Sequence, residues 1–186
     1  MTTPPPGPVR LEAPGVVLRA FGPGDVDDLR AAFVDEEIAR WNPAPTGPDA
    51  IGRFIASRND WTDADQASWA VAGPEDRLVG SVSVHKIDRD QGDAEVGYWT
   101  APWARRQGYA VRAVTTASRF AFGELGLRRL YLFHAVENGG SCAVALAAGF
   151  RHEGTLRESY RYADGVHHDE HLHGLLARDL GMGSDR

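Results

Sequence analysis

Three apolar runs follow one another at residues 68–72, 78–86 and 94–100, each closed by a turn, and a long amphipathic stretch at 108–122 comes directly after them. The turn segments are Gly73-Pro74-Glu75-Asp76 and Asp88-Arg89-Asp90-Gln91-Gly92-Asp93. Strands separated by turns this short pair as an antiparallel meander, since a parallel neighbour needs a longer crossover. The stretch 108–122 carries Val111, Val114, Ala117, Phe120 and Ala121 at helical spacing, and Gly123 or Gly126 ends it. A meander feeding a helix, followed by a further apolar run at 129–135, confines the chain to the α/β classes with a mixed sheet.

The remaining elements extend that frame. Residues 16–21 read as a first strand, and Asp25 is expected to cap a helix carrying Val26, Leu29 and Phe33. Residues 35–41 form a further helical turn, the proline-rich stretch 42–48 breaks the chain, and 49–60 is helical. A short helix over 141–148 ends at Gly149, and strands starting at 150 and spanning 166–176 pair across the turn 162–165. With 186 residues and no internal repeat, one domain over 9–180 is expected, with flexible tails at 1–8 and 181–186.

A net charge of -6, from 26 acidic and 20 basic residues, gives the chain no general attraction to nucleic acid or to an anionic membrane. Its single cysteine, Cys142, excludes an internal disulfide, no apolar run is long enough to span a bilayer, and the start lacks a signal-peptide pattern. A cytoplasmic protein is the expectation.

Chemistry concentrates in Arg105-Arg106-Gln107-Gly108-Tyr109-Ala110, ahead of the long helix. The unpaired N–H groups and positive end of a helix attract phosphate, small residues let it approach, and two arginines add charge. An Arg-rich turn is also an ordinary solvated cap. Neither a P-loop nor a dinucleotide fingerprint is present.

Arg105-x-x-Gly108-x-Ala110 matches the R/Q-x-x-G-x-G/A loop of the GNAT superfamily. Glu95-Val96-Gly97-Tyr98-Trp99 before it, Asn138-x-x-Ser141 and Gly149-Phe150 after it, and Asp164-Gly165-x-x-x-Asp169 with Gly174-Leu175-Leu176 resemble the RimJ/RimL branch. The resemblance runs from about Val16 to Leu180. It implies a single-domain GNAT fold, α/β with a mixed, mostly antiparallel sheet, whose two central parallel strands, 94–100 and 129–135, splay to admit pantetheine. It also implies acetyl transfer from acetyl-CoA to a primary amine, no metal, and leaves a homodimer open.

Under that resemblance residues 105–110 (Arg105, Arg106, Gln107, Gly108, Tyr109, Ala110) hold the CoA pyrophosphate. Backbone N–H groups at Tyr98, Trp99 and Thr100, with Asn138 and Ser141, hold pantetheine. Glu95, near the splay, is the first candidate for a base, and His134 on the other central strand the second; an ion-paired carboxylate and a buried histidine are the plainer readings. Many GNAT enzymes place a tyrosine acid in the helix after the second central strand; Ala145 stands there, so Ser141 becomes the donor to the thiolate.

Cys142 reads as a small buried residue. The run His167-His168-Asp169-Glu170-His171-Leu172-His173 has metal-ligating residue types, but a histidine-rich strand edge reads as solvated, and the separated pairs of a zinc site are missing. Trp41, beside the proline-rich loop, could line an acceptor pocket with Glu95, whereas Trp61, Trp69 and Trp103 read as core. The acceptor is expected to be a peptide N-terminus or a related amine. A small-molecule acylation, with a carrier protein as donor, and a non-catalytic CoA-binding module are the alternatives.

Overall fold

The computed structural model describes residues 7–182, so most of the two expected tails, 1–6 and 183–186, lies outside the described residues. Along the chain run β1 (Leu11–Ala13), β2 (Val16–Arg19), α1 (Val26–Phe33), α2 (Glu36–Trp41), α3 (Ala50–Asn59), β3 (Gln66–Ala72), β4 (Leu78–Asp88) and β5 (Asp93–Thr100). Then come α4 (Tyr109–Gly123), β6 (Arg129–Ala135), α5 (Gly139–Ala147), β7 (Arg151–Arg161) and β8 (His167–Leu176). They form one mixed sheet in the order β1-β2-β3-β4-β5-β6-β8-β7, antiparallel except between β5 and β6.

The expected meander is β3-β4-β5, with Trp69 opposite Val82 and Val82 opposite Tyr98. The apolar stripe of α4 lies on this sheet: Val114, Ala117, Phe120 and Ala121 are buried. Trp69 is fully buried between Trp61, at a ring distance of 4.9 Å, and Phe120, at 5.3 Å. Its indole N–H donates to the carbonyl of Val9 at 2.8 Å, which ties the segment before β1 into the core.

Two local expectations change. Asp25 does not cap α1; its carboxylate, 3 % exposed, accepts from the Gly22 amide and from both terminal nitrogens of Arg19, a stronger charge-assisted set than one helix N–H supplies. The capping carboxylate is instead Asp35, which accepts from the Ile38 amide at the start of α2. β7 and β8 pair across the expected turn, as far as Arg161 opposite His167. That pairing also makes β8 an interior strand, so the His-rich run lies between β6 and β7 instead of on an edge. No helix among the described residues is long and apolar enough to cross a membrane.

Candidate active site

The parallel pairing of β5 with β6 lasts for three residue pairs, Asp93 with Arg129, Ala94 with Leu130 and Glu95 with Tyr131. Beyond Glu95, β5 continues on β4 as far as Thr100, and β6 continues on β8 as far as Ala135. The two strands therefore part into a fork, and their inner edges have backbone N–H and C=O groups free for a ligand. This is the splay that the resemblance implied.

A cleft of about 790 Å3 opens over the fork, a size that suits a cofactor. Its walls come from Tyr98, Trp99 and Thr100 of β5, the start of α4, the start of α5, and α2 with Trp41. At the α4 end the chain turns through two left-handed residues, Arg106 at φ 61° and Gly108 at φ 76°. Only glycine takes that conformation freely, so the loop is strained into shape at Arg106 and relaxed at Gly108. The turn leaves the first N–H groups of α4 facing the cleft without an intrahelical acceptor.

Arg105 and Arg106 differ. Arg106 is exposed at the mouth and makes no ion pair among the described residues. Arg105 binds Asp35 at 2.5 Å and Glu37 at 3.1 Å, which holds the Asp35 carboxyl below its usual range. Most of its charge is spent on α2, so it fastens the cleft wall and contributes less to an anion than its sequence position suggests. Gln107 is exposed beside the cleft, and its side chain donates to the Trp103 carbonyl.

Opposite the loop, Asn138 caps α5 by accepting from the Ser141 amide at 3.0 Å. The Ser141 hydroxyl is 2.8 Å from the Tyr98 hydroxyl, which also donates to the Ser141 carbonyl at 3.1 Å. Burial pushes the Tyr98 phenol up, so it stays protonated. The sequence had offered Tyr98 for its backbone alone; its phenol, reaching across the fork to α5, was missed, because strand alternation fixes a face and not a partner on a distant helix.

Glu95 and His134 do not line the cleft. Glu95 accepts from Lys86 at 2.7 Å and lies 3.5 Å from His85 Nε2; burial raises its pKa, but these hydrogen bonds outweigh that and hold it below the usual range. It is the ion-paired carboxylate of the plainer reading. His134 is buried, with Nδ1 2.8 Å from the Ala135 carbonyl and Nε2 3.1 Å from His173 Nε2, and burial holds it neutral. His173, which the sequence had left in solvent, is fully buried, and burial and three neighbouring imidazoles push its pKa down to about 4.

A carboxylate the sequence reading passed over lies behind Trp41. Glu170 is 7 % exposed and accepts from Ser159 at 2.6 Å and from Tyr162 at 2.8 Å, with no ion pair among the described residues. The Tyr162 ring packs edge-on against Trp41, 5.1 Å between centroids. The acid had been hidden in the His-rich run; its inward direction follows only from β8 being an interior strand.

The Acetyltransferase (GNAT) domain family matches residues 16–151. A Bacillus subtilis (strain 168) protein named "Putative ribosomal N-acetyltransferase YdaF" is 37% identical over 173 residues, covering 88% of this chain and 92% of its own length. The Escherichia coli (strain K12) ribosomal-protein-serine acetyltransferase is 30% identical over 102 residues, 55% of this chain and 56% of its own. Among solved structures, Mycobacterium smegmatis RimJ in complex with CoA-disulfide superposes with a TM-score of 0.79 at 22% identity, over 89% of this chain and 83% of that one. The fork, the loop before α4 and the family match across most of the chain lead to one conclusion: this chain belongs to the GNAT acetyltransferase family and transfers an acetyl group from acetyl-CoA to an amine.

Proposed function

We propose that the acceptor is the α-amino group of a protein N-terminus, with ribosomal proteins the first substrates to test, and that the Tyr98–Ser141 hydroxyl pair delivers the proton to the departing sulfur. The observation carrying the proton route is that pair, 2.8 Å apart on the cleft wall where the strands part. The acceptor class rests on the relative that is 37% identical and named for ribosomal N-acetylation.

Acetyl-CoA supplies an activated thioester carbonyl. The first-turn N–H groups of α4 and the exposed Arg106 suit its pyrophosphate, and the inner edge of β5 suits its amide-bearing arm. Free N–H groups near Tyr98, Trp99 and Thr100 stabilise negative charge that develops on the carbonyl oxygen. Ser141 passes its proton to the departing sulfur, Tyr98 turns its hydroxyl from the Ser141 carbonyl to replace that proton, and the proton shed by the attacking amine returns to Tyr98 through water, so both hydroxyls end as they began.

The nucleophile must arrive neutral. An α-amine with pKa near 8 has roughly a tenth of its molecules neutral at pH 7, whereas a lysine near 10.4 has far fewer. A strong base is therefore unnecessary, and Glu95, tied to Lys86, serves as an anchor. Glu170, behind Trp41 and Tyr162, attracts the incoming ammonium to the acceptor side of the fork.

The test is CoA release, followed with a thiol reagent, against ribosomal-protein N-terminal peptides, polyamines and aminoglycosides. Turnover confined to the peptides is the expected outcome. Turnover with polyamines or aminoglycosides and none with peptides overturns the acceptor assignment.

A further inference from the structure

Outside the cleft lining, between α5 and the β6–β8 pair, four side chains converge. His134 comes from β6, His171 and His173 from β8, and Cys142 from α5, and their ligating atoms all lie within 4.8 Å of one another. Sequence spacing shows only half of the set: His171 and His173 are neighbours on one strand face, whereas His134 and Cys142 come from two other elements.

The separations have the scale of a coordination shell. A tetrahedral zinc with bonds of about 2.0–2.1 Å to nitrogen and about 2.3 Å to sulfur sets its ligand atoms roughly 3.3–3.6 Å apart, so the widest pairs here, up to 4.8 Å, close in on binding. His134 Nε2 is 3.1 Å from His173 Nε2, and Cys142 Sγ is 3.9 Å from the same nitrogen. The orientation is supported from behind: His134 Nδ1–H donates to the Ala135 carbonyl at 2.8 Å, which turns the Nε2 lone pair toward the cluster. Both His134 and His173 are removed from solvent, whereas Cys142 and His171 are half-buried and leave a way in. The exposed His152 stands at that opening, its ring 4.6 Å from that of His171.

A plain imidazole pair explains one N–H···N bond between His134 and His173. It leaves the convergence of Cys142 and His171 on the same point without a cause, and the Nδ1 atom of His171 is buried without a partner. Three imidazoles and a thiol, with no carboxylate, select a borderline-soft ion over magnesium or calcium.

We propose that His134, His171, His173 and Cys142 bind one zinc-class divalent cation, which clamps α5 to the sheet. Binding forms three metal–nitrogen bonds and one metal–sulfur bond, and the proton of the Cys142 thiol leaves to solvent. The clamp bears on the cleft through one peptide bond, since Cys142 follows Ser141. The ion holds α5 in place and stands apart from the reacting atoms.

The full chain, stripped with chelator and kept reduced, is titrated with Co2+ as a spectroscopic stand-in, and with Zn2+ during thermal unfolding. The expected result is one Co2+ per chain with tetrahedral ligand-field bands and a thiolate charge-transfer band, and a Tm that rises with Zn2+ concentration. Cys142→Ser removes the charge-transfer band and weakens Co2+ binding at least about tenfold, His173→Gln weakens it similarly, and His167→Ala on the exposed end of β8 changes nothing. Circular dichroism confirms that each variant is folded; should His173→Gln unfold, the wild-type spectrum and Cys142→Ser decide. Absence of stoichiometric binding, a spectrum without the thiolate band, or binding that survives Cys142→Ser but is lost in His167→Ala overturns the proposal.

Discussion

Ser141 has two demands on its hydroxyl, one from Tyr98 and one from the cleft. If it protonates the sulfur, Ser141→Ala lowers kcat by roughly a hundredfold or more, within the usual contribution of a positioned acid, and leaves the KM for acetyl-CoA within a few-fold. Tyr98→Phe removes only the supporting hydroxyl and is expected to have a smaller effect of the same kind. Steady-state kinetics on both variants checks this; an unchanged kcat in Ser141→Ala removes the serine from the reaction. Glu170→Gln separates differently: with the acceptor entering beside Trp41, as proposed, it raises the KM for the peptide acceptor about tenfold and spares that for acetyl-CoA. Glu95 makes a stability prediction. Its folded carboxyl sits below its unfolded value, so its pair with Lys86 and His85 stabilises above about pH 4.3 and is lost as the pH falls through the folded value. Lys86 is 68% exposed, so Glu95→Gln costs no more than about 1 kcal/mol at pH 7 in urea unfolding, and the difference closes in acid.

At the level of elements, the β4–β5 ladder sets the cleft wall, and Gly80 is where that wall has no slack. A Cβ there would meet the Trp99 carbonyl oxygen at 2.3 Å, a backbone atom that cannot swing away. Gly80→Ala is expected to destabilise by about 1–3 kcal/mol, as overpacking does, and to weaken acetyl-CoA binding by displacing the end of β5. Calorimetric binding and urea midpoints report the two effects; a loss of stability with binding intact would mean that the fork tolerates the shift. Elements were also what the sequence disclosed best. Apolar runs closed by turns and a helical stripe located β3, β4, β5, α4 and β6 within a residue or two, because each buries its apolar side chains, β3 and the first half of β4 on both faces. The place of the Arg105–Ala110 loop, at the start of α4, was legible because its small residues and the helix that follows are local features. Tyr98 on Ser141, Glu170 behind Tyr162 and Cys142 beside His173 were illegible, since each joins residues whose proximity depends on strand order, which no local pattern encodes.

Across the whole molecule, the larger of two cores runs along the sheet from β2 to β8 and holds the Trp61–Trp69–Phe120 group, while Phe21, Leu29, Ala70 and Leu78 form the smaller one. Trp69→Ala would leave a large cavity and release the Val9 carbonyl, so a loss of about 3–5 kcal/mol in equilibrium unfolding is expected. That core belongs to both arms of the fork, yet the arms themselves join through only three residue pairs. An open sheet margin is ordinarily a place where foreign strands add, and proteins guard such margins on their outside. Here two margins face inward, and in the proposed function the cosubstrate's amide-bearing arm covers them. The enzyme's resistance to aggregation is thereby tied to metabolic supply: cells short of CoA should hold more of it in insoluble form, and those amides of residues 96–100 that face away from β4 should exchange their hydrogens slowly only when acetyl-CoA is abundant.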